Sequence, residues 1–315
     1  MKKILVTGGS GLVGHGIQSI VEEFGDKYEF IFVSSKDYDL YDFKETNKMF
    51  QDIQPHMVIH LAANVGGLYK NMNQKVDMFE KNLMINYNVV KCSHDHKVEK
   101  LVACLSTCIF PDQIEYPIDE TMLHDGPPHG SNDAYAYAKR MLEVHCSAYR
   151  ASYGDNFMCI IPTNIYGPHD NFDLENAHVL PALIHKCYLA KLYDEDFIVR
   201  GTGKPLRQFI YSQDLAWLIM MVMENYKGDN IILSVDETQE VSIESVARTI
   251  ARCFDYEHRI VFDPSYSDGQ YKKTVTNNRL RQLLGNDHKF EFTSIHDGCK
   301  KTVEWFINKM NIYKK

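Results

Sequence analysis

Tyr135 and Lys139 stand four residues apart in "AYAYAKRM", a spacing that puts both on one face of a helix. A phenol with a pKa near 10 exchanges protons poorly at neutral pH. A neighbouring ammonium favours the phenolate and lowers that value, so the pair is expected to act as an acid or base. Tyr137 has no lysine four residues on and is the decoy. Ser106 and Cys108 lie two residues apart in "CLSTCIFP", just after the apolar run "KLVA". That run reads as a buried strand, and active sites of open α/β sheets sit where such strands end. A hydroxyl there can orient a carbonyl. A free cysteine often only fills space, so from type and position alone Cys108 is either a packed small residue or an acid–base group. Cys104, inside the strand, reads as structural.

A second constellation is "VTGGSGLVG" near the N-terminus, with Gly8, Gly11 and Gly14 in a GxxGxxG spacing. Glycines permit a tight turn and close approach of the backbone to a pyrophosphate. The N-terminus of the next helix adds free N–H donors. Gly8, Gly9, Ser10, Gly11, Leu12, Val13 and Gly14 are therefore expected to hold a dinucleotide. The second strand should end at "VSSKDYDL". An acidic side chain there would hold a ribose 2′-OH, but Ser34, Ser35 and Lys36 occupy the tip, which suits a 2′-phosphate and favours NADPH. Asp37 is the counterweight if the strand runs further, and Lys36 is otherwise a solvated loop lysine. Asp39 and Leu40 are placed for the adenine.

These groups need a scaffold that brings strand ends together. Through residue 168 the chain alternates apolar runs with helical patterns: "KILVTGG", "LVGHGIQSIVEEFG", "EFIFVSS", "FKETNKMFQDI", "HMVIHLAA", "KVDMFEKNLMINYNVVKCSHDH", "KLVACLS", "AYAYAKRMLEVHCSAYRASYG" and "FMCIIPTNIYG". Such alternation predicts an α/β fold with a doubly wound parallel sheet of the Rossmann type. Residues 1–168 are expected to form the NADP-binding domain, with a return to it near 207–236. Residues 169–315 are expected to form a smaller, mainly substrate-binding α/β domain. In that part "DFIVRGTGKPLRQFIYSQDLAWLIMMVMENY" reads as a hairpin followed by a helix, "NIILSV" as a further strand, and "SIESVARTIARCFD" and "SIHDGCKKTVEWFINKMN" as helices.

The charge of −8 leaves no global basic footprint for nucleic acid. No run reaches the ~20 apolar residues of a membrane span, and the N-terminus reads as a strand rather than a secretory signal. Eight cysteines at scattered spacings, without a CxxC pair, suit reduced thiols and a cytoplasmic location. His94 and His96 in "HDH" read as a solvated turn, and no metal is expected.

The glycine loop, Ser106, the YxxxK of Tyr135 and Lys139, and "HLAA" at 60–63 together resemble the extended short-chain dehydrogenase/reductases. "HLAANVGGL", "CLSTCIFP", "PTNIYGPHDNF", "HVLPALIHK" and "RQFIYSQDLA" narrow the likeness to that family's epimerase-reductases, which act on a GDP-linked 4-keto-6-deoxy-mannose. The resemblance implies hydride transfer from NADP(H), with Tyr135 as acid, Ser106 orienting the carbonyl and Lys139 assisting and reaching cofactor ribose. It also implies inversion at C3 and C5, for which Cys108 is the expected base and His178 the expected acid. Pro162, Thr163, Asn164, Ile165 and His178 match positions around the nicotinamide. Lys186, Arg200, Arg207 and Asp268 match positions on the GDP-sugar, Arg200 standing where relatives can have a stacking tryptophan. A homodimer through the two long helices is the further implication. The alternatives are another NAD(P)-dependent nucleotide-sugar epimerase or dehydratase, or a non-catalytic NADP(H) sensor. The sensor is disfavoured because such proteins typically break the Ser–Tyr–Lys set.

Overall fold

A computed structural model of the chain describes residues 1–285 and 290–313. In chain order the elements are β1 (Lys2–Thr7), α1 (Leu12–Gln18), α2 (Val21–Phe24), β2 (Tyr28–Val33), α3 (Phe43–Ile53), β3 (Met57–His60), α4 (Leu68–Asn73), α5 (Lys75–Asp95), β4 (Lys100–Cys104), α6 (Asp133–Tyr153), β5 (Phe157–Pro162) and β6 (Asn164–Tyr166). They continue as α7 (Val179–Tyr193), β7 (Phe197–Arg200), β8 (Leu206–Arg207), β9 (Phe209–Tyr211), α8 (Ser212–Asn225), β10 (Asn230–Leu233), β11 (Val241–Ser242), α9 (Ile243–Cys253), β12 (Ile260–Asp263), α10 (Asn278–Leu284) and α11 (Ile295–Tyr313).

A parallel sheet in the order β10-β5-β4-β3-β1-β2 forms the centre. Its strands read as unbroken apolar runs because both faces are covered. Successive residues point to opposite sides: Leu5 enters one buried cluster with α3, α5 and α6, whereas Ile4 and Val6 enter another with α1, α8 and α10. The order reverses between β1 and β3, the switch point at which ligands of such sheets bind. "NIILSV" returns to the sheet as edge strand β10, paired with β5.

The expected long first helix is two pieces. The Ser19 hydroxyl donates to the Gly16 carbonyl at 2.7 Å, an alternative to continued helix that serine offers its own backbone, and α1 ends at Gln18. By contrast α3 starts where Asp42 accepts from the Lys44 and Glu45 N–H groups, a regular N-cap.

A third cluster, with Tyr166, Phe172, Leu183, Phe197, Ala247 and Phe306, joins α7, α9 and α11 to short strands. The expected hairpin is absent there. β7 pairs in parallel with β12, β8 antiparallel with β11, and β9 in parallel with β6. Gly201 and Gly203 do turn the chain, at φ 93° and 75°. The turn is anchored elsewhere: Thr202 donates its N–H and hydroxyl to the two oxygens of Asp268, at 2.7 and 2.6 Å. A Cβ on Gly201 would sit 2.4 Å from that carboxylate.

Candidate active site

At the mouth of β1 the glycines serve different ends. A Cβ on Gly8, Gly9 or Gly14 would come within 2.8 Å of Ala62 N, 2.7 Å of Phe32 Cβ and 2.4 Å of Gly9 O respectively. Gly8 also has φ +71°, so these three are required by the turn and by packing. Gly11, the N-cap of α1, would meet only Gly8 O at 3.3 Å. Its bareness leaves space outward, where a phosphate would approach the helix N-terminus. Ser10 is exposed and Leu12 half-buried beside it, while Val13 faces the core.

At the tip of β2 the Asp37 carboxylate accepts from the Ser34 N–H and hydroxyl, both at 2.8 Å, and those bonds hold its pKa below the ordinary value. Asp37 is thereby tied into its own turn, while Ser35 and Lys36 are exposed. Asp39 accepts from the Tyr41 N–H at 3.0 Å, and Leu40 packs into the core. Space, free N–H donors and an exposed hydroxyl–ammonium tip fit a 2′-phosphorylated dinucleotide.

β4 and α6 bring the second constellation together. Lys139 is almost fully buried, donates to the Cys104 carbonyl at 2.8 Å, and lies 5.8 Å from the centre of the Tyr135 ring. Burial lowers the Lys139 pKa. Below it His60 bonds Thr7 Oγ1 at 2.8 Å and Asn86 Oδ1 at 3.0 Å. Burial, then the nearby Lys139 charge, brings the His60 pKa down to about 3, so its ring is neutral. The spacing argument predicted a lowered phenol pKa for Tyr135. In the fold the shift is upward, with burial the largest cause and the thiols of Cys108 and Cys104 adding to it. The phenol therefore stays protonated, which is the state an acid requires.

Ser106 caps the short turn Thr107–Ile109, its Oγ accepting from the Cys108 N–H at 3.4 Å. Cys108 is buried in the same cluster against which Tyr135 packs, and burial raises its thiol pKa. Arg140, one residue after Lys139, donates to the Ile109 carbonyl at 2.6 Å and fixes the far end of that turn. His178 is the N-cap of α7, open to solvent, and its side chain makes no capping bond.

Pro162 and Thr163 are buried at the end of β5. Thr163 bonds the Ser234 hydroxyl at 3.3 Å, and Asn164 donates its amide to the Gln208 carbonyl at 3.0 Å. Ile165 is half-buried in the second cluster. The Arg207 guanidinium rests on the carbonyls of Leu206 and Gln270, both at 2.7 Å, and of Tyr271 at 3.4 Å. It forms no ion pair among the described residues, so its charge remains for an anion. Arg200 lies over the Tyr266 ring at 4.6 Å and acts on Lys186, whose own pKa burial lowers first. Asp268 is already committed to Thr202. His94 and His96 bond separate partners, Asp155 at 2.6 Å and Asn47 at 2.8 Å.

Residues 4–234 match the model of the NAD dependent epimerase/dehydratase family. The chain belongs to that family. It is 49% identical over its whole length to the GDP-L-fucose synthase of Dictyostelium discoideum, 98% of which is covered. It is 46% identical, with full coverage of both chains, to a probable GDP-L-fucose synthase of Drosophila melanogaster. A GDP-L-fucose synthetase of Naegleria fowleri crystallised with NADP superposes with a TM-score of 0.93 at 47% identity, covering 100% of this chain and 95% of that one. No helix among the described residues is long and apolar enough to cross a membrane.

Proposed function

We propose that the chain converts GDP-4-keto-6-deoxy-D-mannose to GDP-L-fucose, by epimerisation at C3 and C5 followed by NADPH-dependent reduction at C4. What carries the reading is the convergence of Ser106, Cys108, Tyr135 and Lys139 at the end of β4 in a chain whose full-length relatives bear that name. The glycine loop and the Ser34–Lys36 tip would hold the cofactor, which supplies a hydride to C4 when bound. Tyr135 and Ser106 donate hydrogen bonds to the C4 oxygen. They stabilise first the enolate, in the manner of an oxyanion hole, and later the alkoxide, to which Tyr135 gives its proton. C3 and C5 both flank that carbonyl, so their protons are acidified. Inversion needs one group to remove a proton and another to deliver one on the opposite face, and Cys108 and His178 are the groups assigned. Arg207, Lys186 and Arg200 would meet the diphosphate and base. Product analysis after turnover with the keto sugar and NADPH tests the whole reading: GDP-L-fucose is expected, and an un-inverted 4-hydroxy sugar or no NADPH consumption would overturn it.

The exposed Ser35–Lys36 tip carries a cofactor prediction. Lys36→Ala should raise KM for NADPH about tenfold, the worth of one charge-assisted phosphate contact, and leave KM for NADH almost unchanged. Equal losses for the two would remove Lys36 from the 2′-phosphate site.

We also infer a cytoplasmic homodimer. All eight cysteines are free thiols, as a reducing compartment favours. α5 and α6 pack side by side and present Met84, Tyr87, Met141 and Val144 outward, between 37% and 45% exposed. Two such pairs can close a four-helix interface. Met141→Glu with Val144→Glu should halve the mass by sedimentation while preserving the circular dichroism. An unchanged mass would exclude this face.

A further inference from the structure

Ser106 and Cys108 ride on a short stretch that follows β4. Leu105 is the last residue of it bonded to the sheet, its N–H donating to the Ile160 carbonyl at 2.8 Å. Beyond Leu105 the bonds are internal to the turn. The Cys108 N–H donates to Ser106 Oγ at 3.4 Å, the Ile109 N–H to the Ser106 carbonyl at 3.1 Å, and the Phe110 N–H to the Thr107 carbonyl at 3.3 Å. Among the described residues one hydrogen bond ties residues 106–110 to another element. It is the buried bond from Arg140 Nε to the Ile109 carbonyl, at 2.6 Å.

Helix α6 holds both ends of this stretch with consecutive residues. Lys139 donates to the Cys104 carbonyl at 2.8 Å, where the stretch begins, and Arg140 donates where it ends. Tyr135, one helical turn before Lys139, packs against the cluster that includes Cys108, Ile109 and Phe110. The same helix therefore sets the place of the phenol and of the turn that faces it. Arg140 is 6% exposed and forms no ion pair among the described residues, although buried charges are ordinarily paired. Its Nη2 is buried without a hydrogen-bond partner among those residues, and its guanidinium lies 5.6 Å from the centre of the Tyr137 ring. The Ile109 bond is what the side chain does in the fold.

We propose that Arg140 is a positioning residue for both halves of the reaction, its bond to Ile109 fixing the turn so that Ser106 and Cys108 meet the same sugar as Tyr135. The inference rests on the proposed function. Misplacement of a reacting group by about 1 Å can cost about 10²-fold in rate. Ser106 serves the C4 oxygen and Cys108 the C3 and C5 protons, so a shifted turn should slow hydride transfer and carbon-proton exchange together. Arg140 itself transfers no proton and touches no substrate atom in this role.

Two variants of similar length isolate the bond. Arg140→Gln places an amide N–H where Nε stands, and Arg140→Met places a methyl group there. Arg140→Met should lower kcat for NADPH oxidation and the deuterium exchange at C3 and C5 by a common factor, about 10- to 100-fold. KM for NADPH and for the keto sugar should stay within about twofold of native, the pattern of misplaced groups rather than lost binding. Arg140→Gln should keep most of both rates. Tyr137→Leu removes the neighbouring ring, keeps the bond and should match native. Amide hydrogen exchange in the peptide spanning 105–110, followed without sugar, should quicken in Arg140→Met alone. Native rates in Arg140→Met, an equal loss in both Arg140 variants, or loss of one half-reaction with the other intact would overturn the proposal. If Arg140→Met does not fold, Arg140→Gln decides: near-native rates without the charge support the bond, and a loss beyond about tenfold with the donor in place sinks it. If the native protein makes no GDP-L-fucose, the proposed reaction fails in that control, and a quickened turn in Arg140→Met then reduces Arg140 to a structural bond.

Discussion

Tyr135→Phe should slow sugar-dependent NADPH oxidation by about 10²- to 10⁴-fold, the usual worth of a positioned general acid, with NADPH affinity nearly unchanged. The ring packs against the central cluster and lies 5.8 Å from the Lys139 ammonium. Phenylalanine preserves both contacts and deletes only the hydroxyl. No other described tyrosine has a buried lysine one helical turn on, so no neighbour can substitute. Burial raises the Tyr135 pKa above its ordinary value, so the acid form persists through neutral and mildly alkaline pH. The reductase rate should therefore show no loss from this group as pH rises to about 9. Stopped-flow measurement of one NADPH turnover separates this chemistry from product release. A rate within threefold of native would remove Tyr135 as the proton donor. Deuterium exchange at C3 and C5 should also fall, though less, because Ser106 still donates to the enolate oxygen.

The direction of that pKa shift marks where local reading ended. The four-residue spacing of Tyr135 and Lys139 is a helix property and was legible, as was the alternation that sends Leu5 to one core and Ile4 and Val6 to the other. Whether phenol or phenolate prevails depends on how closely β4 and the Cys108 turn enclose the ring, which is tertiary. Gly8, Gly9 and Gly14 were legible as a loop, but only the fold separates them from Gly11, whose missing side chain no protein contact demands. The misread hairpin has the same origin. Gly201 and Gly203 form a real turn, yet its anchor is Asp268, 66 residues beyond Thr202, and β7 and β8 pair with β12 and β11 rather than with each other.

Cys108→Ser should separate the two halves of the reaction. Serine keeps the volume and keeps the N–H that Ser106 caps, so melting temperature and NADPH binding should stay close to native. Its hydroxyl ionises far less readily than a thiol. Exchange of solvent deuterium into C3 and C5 should drop by about 10²-fold or more, the range for a lost general base. The reductase groups Ser106, Tyr135 and Lys139 remain, so the variant should slowly reduce the un-inverted ketone and yield a 6-deoxy sugar that keeps the substrate's configuration at C3 and C5. Chiral analysis of the sugar released from the nucleotide reads this directly. If Cys108 only fills space, exchange and product will both match the native protein, and the base must be sought at His178. If exchange ceases but reduction also ceases, Cys108 supports the carbonyl rather than the carbon acids. Only loss of exchange with persistent, misdirected reduction assigns the thiol to C3 and C5, because the burial that disfavours its ionisation bears on no step of hydride transfer.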